Sequence, residues 1–221
     1  MGQNYRESFG LLPIFGMLHL AGDKPVERAL EEIDIFEEEG ITGAIVENYY
    51  STVENVTRTL EELARRRTSL VLGVNILPNE FEQAFTLANQ YGARFIQLDH
   101  VAGTYDSGTL NAERFWNLRR RFPEVIVHGG VWPKYYHPVE GSDLETDLRE
   151  GMERAEVIVV TGEGTGKETP MEKIRRFREG LGQHPLVIGA GLTPKNAYDQ
   201  LCIADGAIVG SSLKIDNQTS N

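Results

Sequence analysis

The sequence contains a single cysteine, Cys202, so no disulfide can form within the chain. A chain without disulfides is typical of a reducing compartment, and we expect a cytoplasmic protein. Basic residues are also scarce, because 22 lysines and arginines stand against 33 aspartates and glutamates, for a formal net charge of −11 at pH 7. This charge opposes binding to nucleic acid and to anionic membranes. A small-molecule ligand is the expected partner.

The sequence also lacks a long apolar run. Its most apolar stretch near the N-terminus, residues 11–20, is interrupted by Pro13, Gly16 and His19 and is too short to span a bilayer. The acidic Glu7 precedes this stretch and no small-residue cleavage site follows it, which does not fit a signal peptide. No low-complexity or Pro/Ser-rich linker interrupts the chain. We therefore expect no membrane span and one domain over residues 1–221.

Short runs rich in valine and isoleucine alternate with segments of helical spacing. The predicted strands are residues 14–20, 43–48, 70–77, 94–100, 125–130, 157–162, 185–191 and 206–212. The predicted helices are residues 25–39, 52–67, 79–91, 111–122, 142–155, 170–181 and 194–203. Near-continuous apolar strands suit a parallel sheet covered on both faces. An open doubly wound sheet fits this alternation too, but eight units favour an α/β TIM barrel, (β/α)8.

The predicted barrel lacks one helix. Nine residues follow Ser212, which leaves no room for a full eighth helix, so we expect that helix to be short or missing. The outer wall beside the first and eighth strands would then need another cover. We expect residues 4–9, with Tyr5 and Phe9, to cover part of it and a second subunit to cover the rest. This predicts a homo-oligomer, most simply a dimer.

Polar residues stand at the ends of the predicted strands, where TIM barrels carry their chemistry. These residues are His19, Glu47 with Asn48, Asn75, Asp99 with His100, His128 and Thr161. We predict Glu47 as a general base and His19 as an acid or electrophilic partner, with Asn48 and Asn75 orienting the substrate and Asp99 in the same catalytic set.

Two further observations concern these strand ends. His128 is interpreted either as a functional group or as a hydrogen-bonded histidine at the rim. No predicted strand ends in lysine, which argues against a Schiff-base aldolase.

Glycine dominates the last three strand ends, which read TGEGTG from residue 161, GAG from residue 189 and GSS from residue 210. Glycine lets backbone N–H groups approach an anion, and the loops after strands seven and eight commonly hold phosphate in such barrels. The predicted phosphate-binding residues are Thr161, Gly162, Thr165, Gly166, Gly189, Gly191, Gly210 and Ser211. We expect a phosphorylated sugar or a nucleotide-like metabolite as ligand.

A metal-dependent reaction is an alternative. His19, Glu47, Asp99 and His128 come from four predicted strands and could converge on a divalent metal as mixed nitrogen and oxygen ligands. No other cofactor is predicted.

Several segments together resemble the BtpA family. They are GMLHL at 16–20, GAIVENYY at 43–50, GVNIL at 73–77, VIVVTGEGTGK at 157–167, IGAGLTPKNAYDQL at 188–201 and ADGAIVGSSLK at 204–214. The resemblance implies a TIM barrel with His19, Glu47, Asn48 and Asn75 at its mouth and Thr161, Gly162, Thr165 and Gly166 beside the phosphate. It also implies a link to photosystem I biogenesis. A non-catalytic assembly or stability factor is therefore the alternative to an isomerase, lyase or hydrolase.

Three features depart from the family pattern: the loop after His19, the fifth strand, which ends His128-Gly-Gly without the expected Lys-His pair, and the missing C-terminal helical tail. The loop after His19 is only AGDKP, where the family usually carries a longer Pro-rich stretch.

Overall fold

The computed structural model describes residues 2–220, with side chains from residue 5 onward, and contains a closed barrel of eight parallel strands. The barrel strands are β1 (Ile14–Leu18), β2 (Gly43–Glu47), β3 (Val71–Asn75), β4 (Phe95–Leu98), β5 (Ile126–Gly130), β6 (Val157–Val160), β7 (Leu186–Ile188) and β8 (Gly206–Val209). β1 pairs with both β2 and β8, which closes the barrel. The predicted TIM barrel is confirmed, and its strands end up to three residues before the apolar runs do.

Helices alternate with these strands as predicted. They are α1 (Gly2–Phe9), α2 (Pro25–Glu38), α3 (Val53–Arg66), α4 (Phe81–Tyr91), α5 (Ala112–Arg121), α6 (Leu144–Arg154), α7 (Met171–Leu181) and α8 (Ala197–Leu201). Side chains cap three of them, because Thr52, Asn111 and Asp143 each accept a hydrogen bond from a backbone N–H in the first turn. None of the helices in residues 2–220 is long and apolar enough to cross a membrane.

The N-terminal helix lies in a different place from the one predicted. We expected residues 4–9 to cover the outer wall beside the first and eighth strands. Instead, Tyr5 and Phe9 of α1 are buried with the inward-facing side chains of the barrel, including Phe15 and Phe95. The ring centroid of Phe9 lies 5.2 Å from that of Phe15 and 5.5 Å from that of Phe95. α1 therefore closes the bottom of the barrel, because the aromatic interior at that end needs an apolar cover.

The wall beside β1 and β8 is covered within the chain. Gly16 of β1 has no side chain, and a Cβ atom there would lie 2.3 Å from the ring of Phe36 on α2. Phe36 thus packs directly on the strand, while Ala207 and Val209 of β8 are also buried. Among the side chains described, from residue 5 to residue 220, the expected large bare wall is not present, since small outward-facing residues let α2 approach.

The eighth helix is replaced by two 3-10 turns, Ser211–Leu213 and Ile215–Asn217. The segment after β8 is held across the top of the barrel. Lys214 pairs with Glu32 of α2, and the hydroxyl groups of Tyr50 and Thr219 are 2.7 Å apart. Arg28 donates to the carbonyl oxygen of Ser220 at 2.9 Å. Residues 214–220 therefore form part of the mouth.

Candidate active site

A cavity of about 460 Å³ opens at the carboxyl ends of the strands. His19 directly follows β1, Glu47 is the last residue of β2, and Asp99 directly follows β4. All three line the cavity, together with residues of the loops after β5, β6, β7 and β8. We call this space the reaction cavity. The parallel strands bring these residues together because all their carboxyl ends face the same way.

An asparagine joins two carboxyl groups at the floor of the cavity. Asn75, at the end of β3, is paired in register with Glu47. Its amide Nδ2 donates to Glu47 Oε1 at 2.7 Å, and its side chain also lies close enough to the Asp99 carboxylate to lower the pKa of that group. The hydroxyl of Tyr136 donates to Asp99 Oδ2 at 2.8 Å. Asn75 is buried and does not line the cavity, so it orients the two carboxyl groups from below.

The two carboxyl groups hold protons more tightly than exposed ones do. Burial raises the pKa of Glu47 to about 7, an effect opposed by the positive charge of Lys134 and reinforced by the negative charge of Asp99. Burial also raises the pKa of Asp99, while hydrogen bonds from Tyr136 and Asn75 and the charge of Lys134 oppose this rise. Near neutral pH, Glu47 is therefore able both to accept and to donate a proton.

His19 lies beside Glu47 in its neutral form. Its Nε2 atom is 3.9 Å from Glu47 Oε2. Burial lowers the pKa of His19 to about 3, and the positive charges of Lys214, Lys134 and Arg28 add to this effect. The ring fits because residue 210 is a glycine, where a Cβ atom would lie 2.9 Å from His19 Cε1. A neutral imidazole polarises a substrate oxygen through its N–H group, so the electrophilic role fits better than the acid role.

Lys134 is a cavity residue that the strand-end pattern missed. It lies in the loop after β5, and its Nζ atom donates to Thr165 Oγ1 at 3.0 Å. The backbone N–H of Lys134 donates to Thr161 Oγ1 at 2.7 Å, which turns the loop toward the mouth. The lack of a lysine at the strand ends therefore does not exclude lysine chemistry. The only signal in the sequence was the aromatic segment WPKYYH at 132–137.

Seven of the eight predicted phosphate-binding residues line the reaction cavity. They are Thr161, Thr165, Gly166, Gly189, Gly191, Gly210 and Ser211. We call the wall formed by residues 165–166, 189–191 and 210–211 the glycine-rich edge. Gly162, by contrast, lies behind the cavity, where a Cβ atom would be 2.6 Å from the carbonyl oxygen of Glu168.

The loops of the glycine-rich edge are packed backbone to backbone. Gly191 has a positive φ of +70°, and a Cβ atom there would lie 2.1 Å from the carbonyl oxygen of Lys167. Ser211 begins a 3-10 turn, and the first N–H groups of such a turn lack a partner within it. The edge therefore presents backbone to the cavity, as an anion site requires.

Asn48 has a different environment from the one predicted. Its Oδ1 atom accepts from the N–H of Leu77 at 2.8 Å, and its Nδ2 atom donates to the carbonyl oxygen of Leu77 at 3.3 Å. The side chain is not part of the cavity lining. Asn48 fastens the loop after β3 to the end of β2, and both ends of its amide are engaged in that contact.

His128 lies at the bottom of the barrel and not at its mouth or rim. β5 continues to Gly130, so His128 stands in the middle of the strand and points inward among Phe9, Phe15 and Phe95. Its ring stacks on Phe95 with a centroid separation of 4.3 Å. The interpretation as a rim histidine and the four-residue metal set that included it are therefore wrong. Among residues 2–220, no group of three or more His, Cys, Asp or Glu side chains could hold a metal ion.

The other strand-end histidine is also enclosed. His100 is buried, and its ring centroid lies 4.9 Å from that of Tyr105 and 5.0 Å from that of Tyr136. It does not line the reaction cavity. Its contacts make it a support for Tyr136, which in turn holds Asp99.

Comparison with known sequences finds relatives that match most of the chain. The sequence model of the BtpA family matches residues 21–221. An uncharacterized protein of Thermococcus kodakarensis is 30% identical over 95% of this chain and 89% of its own length. The photosystem I biogenesis protein BtpA of a Synechocystis species is 27% identical over 91% of this chain and 80% of its own length.

Solved structures resemble the chain in fold alone. A 3-keto-L-gulonate-6-phosphate decarboxylase from Vibrio cholerae covers 95% of this chain and 94% of its own, with a TM-score of 0.66 and 11% identity. A phosphoribosyl anthranilate isomerase from Thermococcus kodakaraensis covers 95% and 93%, with a TM-score of 0.62 and 15% identity.

Proposed function

The chain belongs to the BtpA family, and we propose that it is an enzyme that performs acid/base chemistry on a phosphorylated small molecule. The observation that carries the proposal is the position of Glu47. Its buried carboxyl group, with a pKa of about 7, faces the same cavity as the glycine-rich edge. The two solved neighbours named above, whose names specify a phosphoribosyl and a 6-phosphate compound, support this class of substrate.

In this proposal, the phosphate group of the substrate binds at the glycine-rich edge. Backbone N–H groups and the hydroxyls of Thr165 and Ser211 donate to its oxygens. Lys134, which donates to Thr165 from within the reaction cavity, supplies a positive charge beside the phosphate. Binding at this edge fixes the rest of the molecule over the strand ends, where Glu47 and His19 lie. Positioning of this kind is a large part of enzymatic rate enhancement.

The reaction starts with removal of a proton from a carbon atom of the substrate by Glu47. Negative charge then develops on a neighbouring substrate oxygen, where the neutral His19 N–H and the Lys134 ammonium group stabilise it. Asp99, held by Asn75 and Tyr136, is the second carboxyl group; it starts protonated and donates its own proton to the substrate, after which Glu47 gives its proton to solvent and Asp99 takes one from solvent. A cycle of this kind serves an isomerase or a lyase, whereas a hydrolase would use the same carboxyl pair on a water molecule.

Proton exchange with solvent tests this function before the product is known. A panel of sugar phosphates is incubated with the protein in D2O, and deuterium uptake at carbon is followed by NMR. Wild type is expected to catalyse exchange in at least one compound, and Glu47→Gln is expected to lose it. Glu163→Gln, at an exposed carboxyl group in the loop after β6, is the matched control. Exchange that persists in Glu47→Gln would contradict the role of Glu47.

A non-catalytic assembly or stability factor is the second candidate. It is supported by the name of the Synechocystis relative, a photosystem I biogenesis protein. Such a factor would act through its surface and would not need a ligand at the glycine-rich edge. Failure of every phosphorylated compound to bind would favour it.

We also propose the setting in which the enzyme works. The chain acts as one domain over residues 1–221, in the cytoplasm, where its single cysteine stays reduced. It forms a homo-oligomer through exposed apolar side chains of α2 and of the turns after β8.

A further inference from the structure

A second cavity adjoins the reaction cavity on the outer side of the glycine-rich edge. Its volume is about 780 Å³, a size typical of ligand sites. We call it the outer cavity. Residues that line both cavities form the boundary between them, and they are Tyr49, Tyr135, Thr165, Gly166, Gly191, Gly210 and Ser211. The predicted phosphate site is therefore not at the end of the available space but in its middle.

The segment after β8 forms the far wall of the outer cavity. Residues 217–220 line it, opposite Lys167, Thr193 and Ser212. The hydrogen bond between the hydroxyls of Tyr50 and Thr219, and that from Arg28 to Ser220, hold this wall in place. The segment after β8 thus bounds the outer cavity on this side.

Cations and aromatic rings flank the boundary. Lys134 bonds to Thr165 on the side of the reaction cavity, and Lys167 lines the outer cavity on the other side of the same turn. In a chain with a net charge of −11, a lysine on each side of a backbone-rich edge favours more than one phosphate charge. Tyr50 is half exposed, and its ring offers a surface on which a planar ring can stack.

From this arrangement, and resting on the proposed function, we infer that the substrate is a nucleoside diphosphate ester. The diphosphate lies across the glycine-rich edge between Lys134 and Lys167. The base lies in the outer cavity against Tyr50, and the reacting group lies in the reaction cavity beside Glu47. A simple sugar monophosphate would end at the edge and leave the outer cavity to water.

Calorimetric titration of the full chain with three probes tests this inference. Ribose 5-phosphate ends at the edge, whereas ADP-ribose and UDP-glucose extend to both sides of a diphosphate. The tighter of the two diphosphate esters is expected to bind at least about tenfold more tightly than ribose 5-phosphate, since stacking of a base on an aromatic ring contributes on this scale. Equal affinities would overturn the inference.

Variants of the outer cavity locate the gain in affinity. Tyr50→Ala is expected to lower the affinity for the diphosphate ester about tenfold and to leave that for ribose 5-phosphate unchanged. Lys167→Ala is expected to lower the affinity for the diphosphate ester more than that for ribose 5-phosphate, because only the ester places a second phosphate beside this lysine. Tyr198→Ala, at an exposed tyrosine of α8 that lines neither cavity, is the matched control. Unchanged diphosphate binding in both variants would also overturn the inference.

The outcomes separate the two proposals. If ribose 5-phosphate binds as tightly as the diphosphate esters, the proposed function stands, but the outer cavity is not part of the substrate site. Binding of none of the three probes, together with no proton exchange in any sugar phosphate, removes both.

Discussion

Glu47 combines burial, a hydrogen bond from Asn75 and a nearby second carboxyl group at one position. Glu47→Gln keeps the shape of the side chain and an oxygen that accepts from Asn75. We expect it to lower turnover by about 10²- to 10⁴-fold, the usual contribution of a general base. Urea unfolding at pH 7 is expected to show little loss of stability. A large fall in unfolding free energy together with normal turnover would show that Glu47 serves packing and not catalysis.

His128 gives a prediction about stability that is independent of any substrate. Burial lowers its pKa from 6.5 to about 3, so the folded chain keeps it neutral where the unfolded chain binds a proton. Stability is therefore lost as the pH falls from about 6.5 toward 3. His128→Leu is expected to reduce this loss, as measured by urea unfolding at pH 7 and pH 5.

The control for this measurement is His137→Leu, at an exposed histidine of the loop after β5. It is expected to leave the pH dependence near that of wild type. An unchanged slope in His128→Leu would show that other groups carry the acid sensitivity.

The strand-end pattern predicted some of the site residues and missed others for physical reasons. His19, Glu47 and Asp99 line the cavity because each stands where an apolar run stops, and the strand stops there as well. His128 was misplaced because two glycines continue β5 beyond it. Lys134 was missed because its loop is directed by a hydrogen bond to Thr161, which no local pattern shows.

At the scale of elements, the glycine-rich edge depends on the contact between two loops. In Gly191→Ala, the new Cβ atom would lie 2.1 Å from the carbonyl oxygen of Lys167, so the loops must separate. We expect a loss of phosphate affinity and a fall in unfolding free energy greater than backbone strain alone explains.

Gly92→Ala is the matched control for that strain. Its φ of +73° is close to the +70° of Gly191, but a Cβ atom there meets nothing within 4 Å. Gly92→Ala is expected to lower the unfolding free energy by about 1–2 kcal/mol, because a residue with a Cβ atom is strained in the left-handed region. Phosphate binding is expected to stay normal. If Gly191→Ala behaved in the same way as this control, the loop contact would not shape the anion site.

The N-terminal helix offers a second prediction about an element. Phe9 of α1 is buried against Phe15 and Phe95 at the bottom of the barrel, far from the mouth. Phe9→Ala is expected to lower the unfolding free energy by about 3–5 kcal/mol, as loss of a buried phenylalanine usually does. Ligand affinity and molecular mass are expected to stay unchanged. A change in mass would place α1 in a subunit interface instead.

The strands and helices were largely predictable from the sequence, whereas the contacts that close the bottom of the barrel and cover the outer face of β1 were not. Eight apolar runs and seven helical segments specified the alternation, because burial of both strand faces leaves a clear signal. The place of α1 depends on the shape of the barrel bottom, and the cover of β1 depends on Phe36 filling the space above Gly16. Both are contacts between residues far apart in sequence.

At the scale of the whole molecule, the packing of α2 on β1 removes one reason to expect an oligomer. Burial of Ala207 and Val209 removes the bare wall that we expected to drive it. Exposed apolar side chains remain on α2 and in the turns after β8, however. Lys214 pairs with Glu32 of α2, and this ion pair links the turns that carry Leu213 and Ile215 to the helix that carries Ile35.

These side chains give the last prediction. Ile35 is 55% exposed, Leu213 42% and Ile215 74%, and we propose that they form one apolar patch, since exposed apolar side chains that lie together are typical of a subunit interface. We expect light scattering at micromolar concentration to give about twice the chain mass of 24.7 kDa, since two-fold dimers are the commonest assembly. Ile35→Glu is expected to give a monomer with unchanged ligand affinity, because the patch lies outside both cavities. Val139→Glu, at an exposed residue of the loop after β5, is the control and is expected to stay dimeric. A wild-type mass of one chain would show that this patch stays in contact with water.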